Sequence, residues 1–99
     1  MCVLALLSKK EMYGYEISKS LELIGGDVLK LKEGTLYPLL RRLESGGYVT
    51  AEWRFSEGKA RRYYSITPKG LAFLESMRSF WSRLVVAVSK LVGGVDDVS

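Results

Sequence analysis

Histidine is absent from this 99-residue sequence, and cysteine occurs once, as Cys2. A lone cysteine excludes an internal disulfide, and a structural zinc site needs a cluster of cysteine and histidine ligands that the chain does not contain. Without histidine, no side chain titrates near neutral pH unless its pKa is strongly shifted. We therefore predict no metal, no cofactor and no enzymatic activity, and we expect Cys2 to be a small buried hydrophobe.

Phosphate-binding glycine loops and long hydrophobic runs are also missing. The glycine pairs at 25–26, 46–47 and 93–94 fit neither nucleotide-binding spacing and are typical of helix ends. The longest apolar run ends at Leu7, and it is too short to cross a bilayer, which takes about 20 residues. These absences predict a cytoplasmic protein without a membrane partner.

Positive charge is concentrated in the middle of the chain. Lysine and arginine exceed aspartate and glutamate by four overall, but residues 30–69 alone hold nine bases and four acids. The rest of the chain has one more acid than base. A confined basic block predicts a polyanionic partner, and the alternative is a solvated basic surface that binds nothing.

Hydrophobic periodicity and helix signals predict the helices. The apolar start predicts a short opening helix, and a second helix is expected around Tyr15–Ile24, followed by a short extended segment at 28–32. A third helix is predicted within Glu33–Ser45, starting near Thr35, because Pro38 belongs in a first helical turn. The pair Thr67-Pro68 is typical of an N-cap and first turn, and it begins a last helix that extends to about Val92.

Aromatic and β-branched residues at 48–55 and 61–66 predict a hairpin with a five-residue loop at 56–60. The chain is thus predicted to be α+β and mostly α, with a winged helix-turn-helix DNA-binding domain at 1–67. A long C-terminal dimerisation helix at 68–92 and a flexible tail at 93–99 complete the organisation. In this fold a helix enters the major groove of DNA and the hairpin contacts the backbone or minor groove.

The partner predicted from this architecture is double-stranded DNA. Arginine near the start of such a helix can bond guanine bidentately, and lysine and arginine of the hairpin can meet phosphates. The candidate DNA-binding residues are Tyr13, Lys32, Thr35, Tyr37, Arg41, Arg42, Lys59, Arg61 and Arg62. Tyr13 and Tyr37 could instead pack on the protein body, and strand alternation allows only one of Arg61 and Arg62 to face DNA easily.

The last helix carries large apolar residues at alternating spacings of three and four, which is the pattern of a coiled-coil seam. They are Leu74, Met77, Trp81, Leu84, Val88 and Leu91. Such a seam needs a partner helix, so we predict a homodimer in which the first helix, through Leu4, adds to the interface. A mid-seam tryptophan packs poorly against its symmetry mate, so a gap lined by Met77, Phe80, Trp81 and Leu84 could take a planar hydrophobic effector; alternatively, Trp81 simply fills the interface.

Several segments resemble the PadR family of transcriptional regulators in order and spacing. They are LALL at 4–7 with YGYEI at 13–17, GTLYPLLRRLE at 34–44 with GYV at 47–49, and RRYY at 61–64 with ITPKG at 66–70. The resemblance implies a dimeric repressor that binds a palindromic operator and releases it in response to a ligand. The sequence departs from the family pattern at Lys32-Glu33, where a serine cap and a proline are usual, and its first helix lacks the family's leading turns.

A second hypothesis is a winged-helix protein-interaction module without specific DNA binding, since a fold does not fix a function. The basic stripe on the third helix and the basic hairpin favour DNA, because an adaptor for proteins needs neither.

Overall fold

A computed structural model describes residues 2–93 of the chain. The elements are α1 (Cys2–Leu7), β1 (Met12–Tyr13), α2 (Gly14–Gly25), a 3-10 turn (Gly26–Leu29), α3 (Glu33–Ser45), β2 (Val49–Ser56), β3 (Lys59–Ile66) and α4 (Pro68–Val92). This is the predicted α+β winged helix: three helices, then a β-hairpin, then one long helix. We refer to the β2–β3 hairpin as the wing.

One hydrophobic core joins all four helices to the sheet. Its buried members are Val3, Leu4, Leu6, Leu7, Met12, Ile17, Leu21, Leu36, Leu40, Val49, Tyr64 and Leu74. In α3 the buried pair Leu36 and Leu40 is spaced one turn apart, so one stripe of the helix is inserted into the core and the opposite stripe must face solvent. The core thereby fixes which face of α3 is displayed.

The sheet contains a strand that the sequence pattern did not predict. Strand order is β1-β3-β2, all antiparallel, with Met12 paired to Tyr64 and Tyr13 to Tyr63. A two-residue strand has no alternation to detect, because only its pairing with β3 makes it extended. The predicted extended segment at 28–32 is correct only in part: residues 26–29 form the 3-10 turn, Lys30 and Lys32 have extended backbone, and no described residue of 28–32 lies in a strand.

The second strand of the wing is longer, and the turn tighter, than predicted. Ser56 pairs with Lys59, so the loop is the two residues Glu57 and Gly58 rather than five. Both have positive φ, 53° and 77°, which is the pattern of the type I′ turns that suit the twist of a hairpin. Polar residues at the strand ends carry little strand signal, and cross-strand hydrogen bonds extend the ladder through them.

Helix α3 begins at Glu33, two residues before the predicted start near Thr35. The carbonyl of Lys32 accepts the N–H groups of Thr35 and Leu36, both at 2.9 Å, and none of the described side chains caps this end. Pro38 is therefore the sixth helical residue rather than a first-turn residue. Its ring lies on the exposed face of the helix, so the fold tolerates it there.

Helix α4 begins as predicted and then leaves the body. The Gly70 N–H donates to Thr67 Oγ1 at 3.0 Å, and Pro68 occupies the first turn. Every residue from Arg78 to Gly93 is exposed, and the molecule measures 61 × 28 × 21 Å. Among residues 2–93 there is no helix both long and apolar enough to span a membrane. The predicted flexible tail lies outside the described residues except for Gly93.

Three expectations about buried residues are corrected by the structure. Leu4 and Leu74 were assigned to a dimer interface, but both are enclosed in the chain's own core and offer no surface to a partner. Leu74 has the spacing of the seam, but it is buried because the first turns of α4 pack on the body before the helix leaves it. Cys2 is exposed rather than buried, because α1 turns its leucines inward and Cys2 outward.

Candidate nucleic-acid interface

The exposed stripe of α3 combines small residues with two arginines. Opposite the buried leucines lie Gly34, Pro38, Arg41, Arg42 and Ser45, all of them exposed. Small side chains let a helix backbone approach another surface closely, and a Cβ added at Gly34 would meet nothing within 4 Å. This face can therefore enter a groove and direct two guanidinium groups into it.

The charges on this face are available for binding. Among residues 2–93, no carboxylate lies within salt-bridge distance of Arg41, Arg42, Lys32 or Lys59. All four side chains are exposed, and so is Thr35. Lys59 lies at the end of the wing beside the turn, whereas Lys32 and Thr35 lie at the start of α3. The structure thus presents free positive charge on both elements of the predicted interface.

Tyr37 packs on the protein body and also retains solvent contact. A Cβ built at Gly14 would lie 2.7 Å from the Tyr37 hydroxyl, so the ring rests on the first residue of α2. The residue is still 40% exposed. Glycine at position 14 is needed for this close approach, and the tyrosine in turn holds the start of α2 against α3.

Arg62 connects the wing to α3. Its Nη2 donates to Glu44 Oε2 at 2.8 Å, and its guanidinium lies 5.7 Å from the centre of the Trp53 ring. Partly exposed pairs of this kind contribute about 0.2–1 kcal/mol, so the bridge orients the wing more than it stabilises the fold. Arg62 was predicted to contact DNA, and in this arrangement its charge is already compensated.

One small cavity lies between the wing and α3, and it is lined by Arg62, Glu44, Tyr37, Arg41 and Tyr64. Burial raises the pKa of the Tyr64 phenol, against the opposing effect of Arg62, and the phenol, which is neutral at pH 7 even at its ordinary pKa, adds no charge to this wall of the cavity. The uncompensated positive charge in the cavity therefore belongs to Arg41.

Arg61 lies on the other face of β3, where cations and aromatic rings alternate. Its guanidinium is 4.8 Å from the centre of the Tyr13 ring, which meets Tyr63 edge-on at 5.4 Å. Arg54 covers Tyr63 at 4.9 Å and pairs with Glu11 and Glu52. Tyr13 is therefore a half-buried support for Arg61, and Arg61 rather than Arg62 keeps a charge without a carboxylate partner among the described residues.

Two exposed aromatic residues of the wing were missed as candidates. Trp53 is 63% exposed and Phe55 is 78% exposed, although their strand was predicted from its aromatic content. Strand propensity reflects packing on a half-buried surface, so it does not reveal which aromatic residues of a strand are exposed. Together with Tyr13, Tyr37 and Arg62, Trp53 lines a cleft of about 310 Å³ between the start of α2, α3 and the wing.

The end of α3 is attached to the beginning of α4. Lys69 Nζ donates to the Gly46 carbonyl at 2.7 Å, and Thr67 Oγ1 donates to the Gly47 carbonyl at 2.6 Å. The Tyr48 and Phe73 rings lie 5.1 Å apart and close the same junction. Any displacement of the first turns of α4 therefore acts directly on the carboxyl end of α3.

Beyond this junction, α4 displays a broad apolar face. Met77 is half-buried, while Phe80, Trp81, Leu84, Val88 and Leu91 are exposed in the single chain. All six lie on one side of the helix by their spacing, with Arg78, Ser82 and Lys90 on the other side. The apolar seam predicted from the sequence is thus accessible on the surface of the single chain from Met77 onward.

Comparison with known proteins identifies relatives of the whole arrangement. Residues 3–76 match the model of the transcriptional regulator PadR-like family. The transcriptional regulator Rv3488 of Mycobacterium tuberculosis is 40% identical over 68 residues, which are 69% of this chain and 61% of that protein.

Solved structures agree with this assignment. A PadR-like transcriptional regulator from Bacillus cereus superposes with a TM-score of 0.83 and 35% identity, covering 93% of this chain and 88% of that one. A PadR family transcription regulator from Clostridium difficile has a TM-score of 0.84 and 33% identity, covering 93% and 95%. These relatives are transcriptional regulators rather than enzymes. This chain belongs to the PadR-like family of transcriptional regulators.

Proposed function

We propose that this regulator is a cytoplasmic, sequence-specific repressor that binds a palindromic operator in double-stranded DNA as a homodimer. The observation that carries the proposal is the exposed stripe of α3, where Arg41 and Arg42 lie between small residues and have no carboxylate partner within residues 2–93. Helix dimensions match the major groove, and arginine is the side chain that most often reads guanine there. The wing supplies Lys59 and Arg61 for the backbone or minor groove.

The homodimer follows from the apolar face of α4. Large exposed apolar surfaces are rare on monomeric soluble proteins, and this one runs along most of a helix that projects from the body. A second copy of the chain can cover this surface, because in a two-fold dimer the same apolar face of each α4 helix packs against the other. Two-fold symmetry then places the half-sites about one DNA turn apart, roughly 34–36 Å.

Arg41 and Lys59 are expected to respond differently to substitution with alanine. Arg41→Ala should weaken binding to the specific site by about 1–3 kcal/mol with little effect on random DNA, because a base contact is lost. Lys59→Ala should weaken binding to all sequences about equally and reduce the salt slope by about 0.9, because one phosphate contact is lost. Fluorescence polarisation with a duplex selected from a random library, measured across salt concentrations, tests both.

Lys90→Ala is the matched control for these variants, since Lys90 is an exposed base near the far end of α4. It should leave affinity and salt slope unchanged. A salt-independent complex would contradict the electrostatic basis of binding, and an equal loss on specific and random DNA would make Arg41 a backbone contact.

We also propose that a planar hydrophobic effector binds between the last helices of the dimer, at Met77, Phe80, Trp81 and Leu84. Flat aromatic faces and a flexible thioether suit such molecules, and Trp81 is half-exposed in the single chain. A ligand at the two-fold axis can favour one spacing of the two α3 helices over another, and so lower the affinity for DNA. The hydrogen bonds of Lys69 and Thr67 to the Gly46 and Gly47 carbonyls connect the start of α4 to the end of α3.

Tryptophan fluorescence tests the effector site, because the chain has only Trp53 and Trp81. Titration with acridine orange should give saturable quenching in the wild type and in Trp53→Phe, and none in Trp81→Ala. Quenching that survives unchanged in Trp81→Ala would assign the dye to Trp53. A wild type without saturable quenching would make Trp81 a packing residue of the interface.

A further inference from the structure

The most exposed aromatic side chains of the structure belong to the wing and have no role in the core. Phe55 is 78% exposed and Trp53 is 63% exposed, whereas Val49 on the same strand is fully buried. Neither ring takes part in the strand ladder from Val49 to Ser56, which is made by the backbone. Large aromatic surface left in water at one place is unfavourable unless a partner covers it.

The two rings point to the same side, toward α3. Trp53 and Phe55 are two residues apart, and strand side chains alternate, so they share the face of buried Val49. Their cross-strand neighbours are Arg62 and Ala60. Arg62 steadies the Trp53 ring through the bridge to Glu44, and the small Ala60 leaves the Phe55 ring uncovered on its cross-strand side.

The chemistry around the rings favours a polyanion over an apolar protein surface. Arg62 borders Trp53 on the face of the rings, and Lys59 and Arg61 lie on the adjacent strand with their side chains on the opposite face, without carboxylate partners among residues 2–93. The cleft lined by Trp53 shares Tyr37, Arg62 and Tyr64 with the cavity that Arg41 lines. A duplex that receives α3 in its major groove therefore passes directly beneath the aromatic face of the wing.

We propose that Phe55 and Trp53 form an apolar wedge that enters the minor groove beside each half-site and kinks the duplex at one base step. This inference rests on the proposed DNA-binding function and adds a specificity determinant to it. Apolar wedges between base steps bend DNA by about 20–90° and partly unstack the step. Pyrimidine–purine steps such as TA and CA unstack most easily, so the wing selects them without hydrogen bonds to bases.

The experiment uses the full-length protein and duplexes selected by it from a random 30-base-pair library. Bending is followed by energy transfer between dyes at the two ends, and unstacking by 2-aminopurine placed in the flank of the half-site. Phe55→Ser should reduce both signals and lower the affinity about tenfold, with an unchanged salt slope because no charge is lost. Phe55→Leu should keep the bend, since aliphatic wedges also insert.

Leu23→Ser is the control, because Leu23 is 84% exposed at the end of α2 and carries no charge. It should bind and bend DNA like the wild type. The wedge is refuted if the wild type binds its selected duplex and Phe55→Ser bends that duplex equally. In that case the proposed DNA-binding function still stands. A wild type that selects no duplex would overturn both proposals. Selected flanks without enriched TA or CA steps would also contradict the wedge.

Discussion

Replacing Leu84 with glutamate is expected to convert the proposed dimer to monomers and to abolish the proposed operator binding. Leu84 lies in the middle of the apolar face of α4, where it is 38% exposed in the single chain. A two-fold interface would bury two such carboxylates without partners, and an unpaired buried charge costs roughly 3–5 kcal/mol. The dimer dissociation constant should therefore rise by more than about 100-fold. Sedimentation velocity measures it, and fluorescence polarisation follows the DNA.

Val86→Glu is the matched control for this experiment. Val86 is 55% exposed and lies two residues further along α4, on the opposite side of the helix. The same charge at that position should leave both the dimer and DNA binding intact. If Leu84→Glu sediments as a normal dimer, or if Val86→Glu dissociates equally, the interface lies on another face of the helix.

Replacing Gly70 with alanine is expected to give the largest loss of folding stability from a single methyl group. The added Cβ would lie 2.2 Å from the Tyr48 carbonyl oxygen and 2.7 Å from Ile66 Cγ1. The first contact is with backbone, which cannot rotate away, so the start of α4 must move off the sheet. Overpacking of this kind costs about 1–3 kcal/mol. The same shift strains the junction with α3, so DNA affinity should fall with stability.

Gly34→Ala also adds a single methyl group, but it is expected to raise the folding stability rather than lower it. Gly34 lies in α3 with open space where a Cβ would project, so alanine should raise stability by about 0.5–1 kcal/mol through helix propensity. Urea unfolding followed by circular dichroism compares the two variants, at one protein concentration so that the proposed dimerisation affects both equally. Gly70→Ala unfolding at the wild-type midpoint would show that the α4 junction is not tightly packed.

Much of the fold follows from local signals in the sequence. The spacing of Leu36 and Leu40 determines which face of α3 is buried, and with it the display of Arg41 and Arg42. Thr67 caps α4 through its own hydroxyl, which is a contact over three residues. Such features depend on neighbours within one or two helical turns, and for that reason periodicity and capping signals predict them well.

Features that depend on distant residues were decided only by the tertiary structure. The strand at Met12–Tyr13 exists because β3 pairs with it, and the bridge from Arg62 to Glu44 joins residues of two elements that no local pattern relates. The exposure of Trp53 and Phe55 depends on where the core ends along the wing. Leu74 and Leu84 both belong to the apolar repeat, but the body covers Leu74 and leaves Leu84 exposed. A linear repeat records hydrophobicity and spacing, whereas burial is set by what packs above each position in three dimensions.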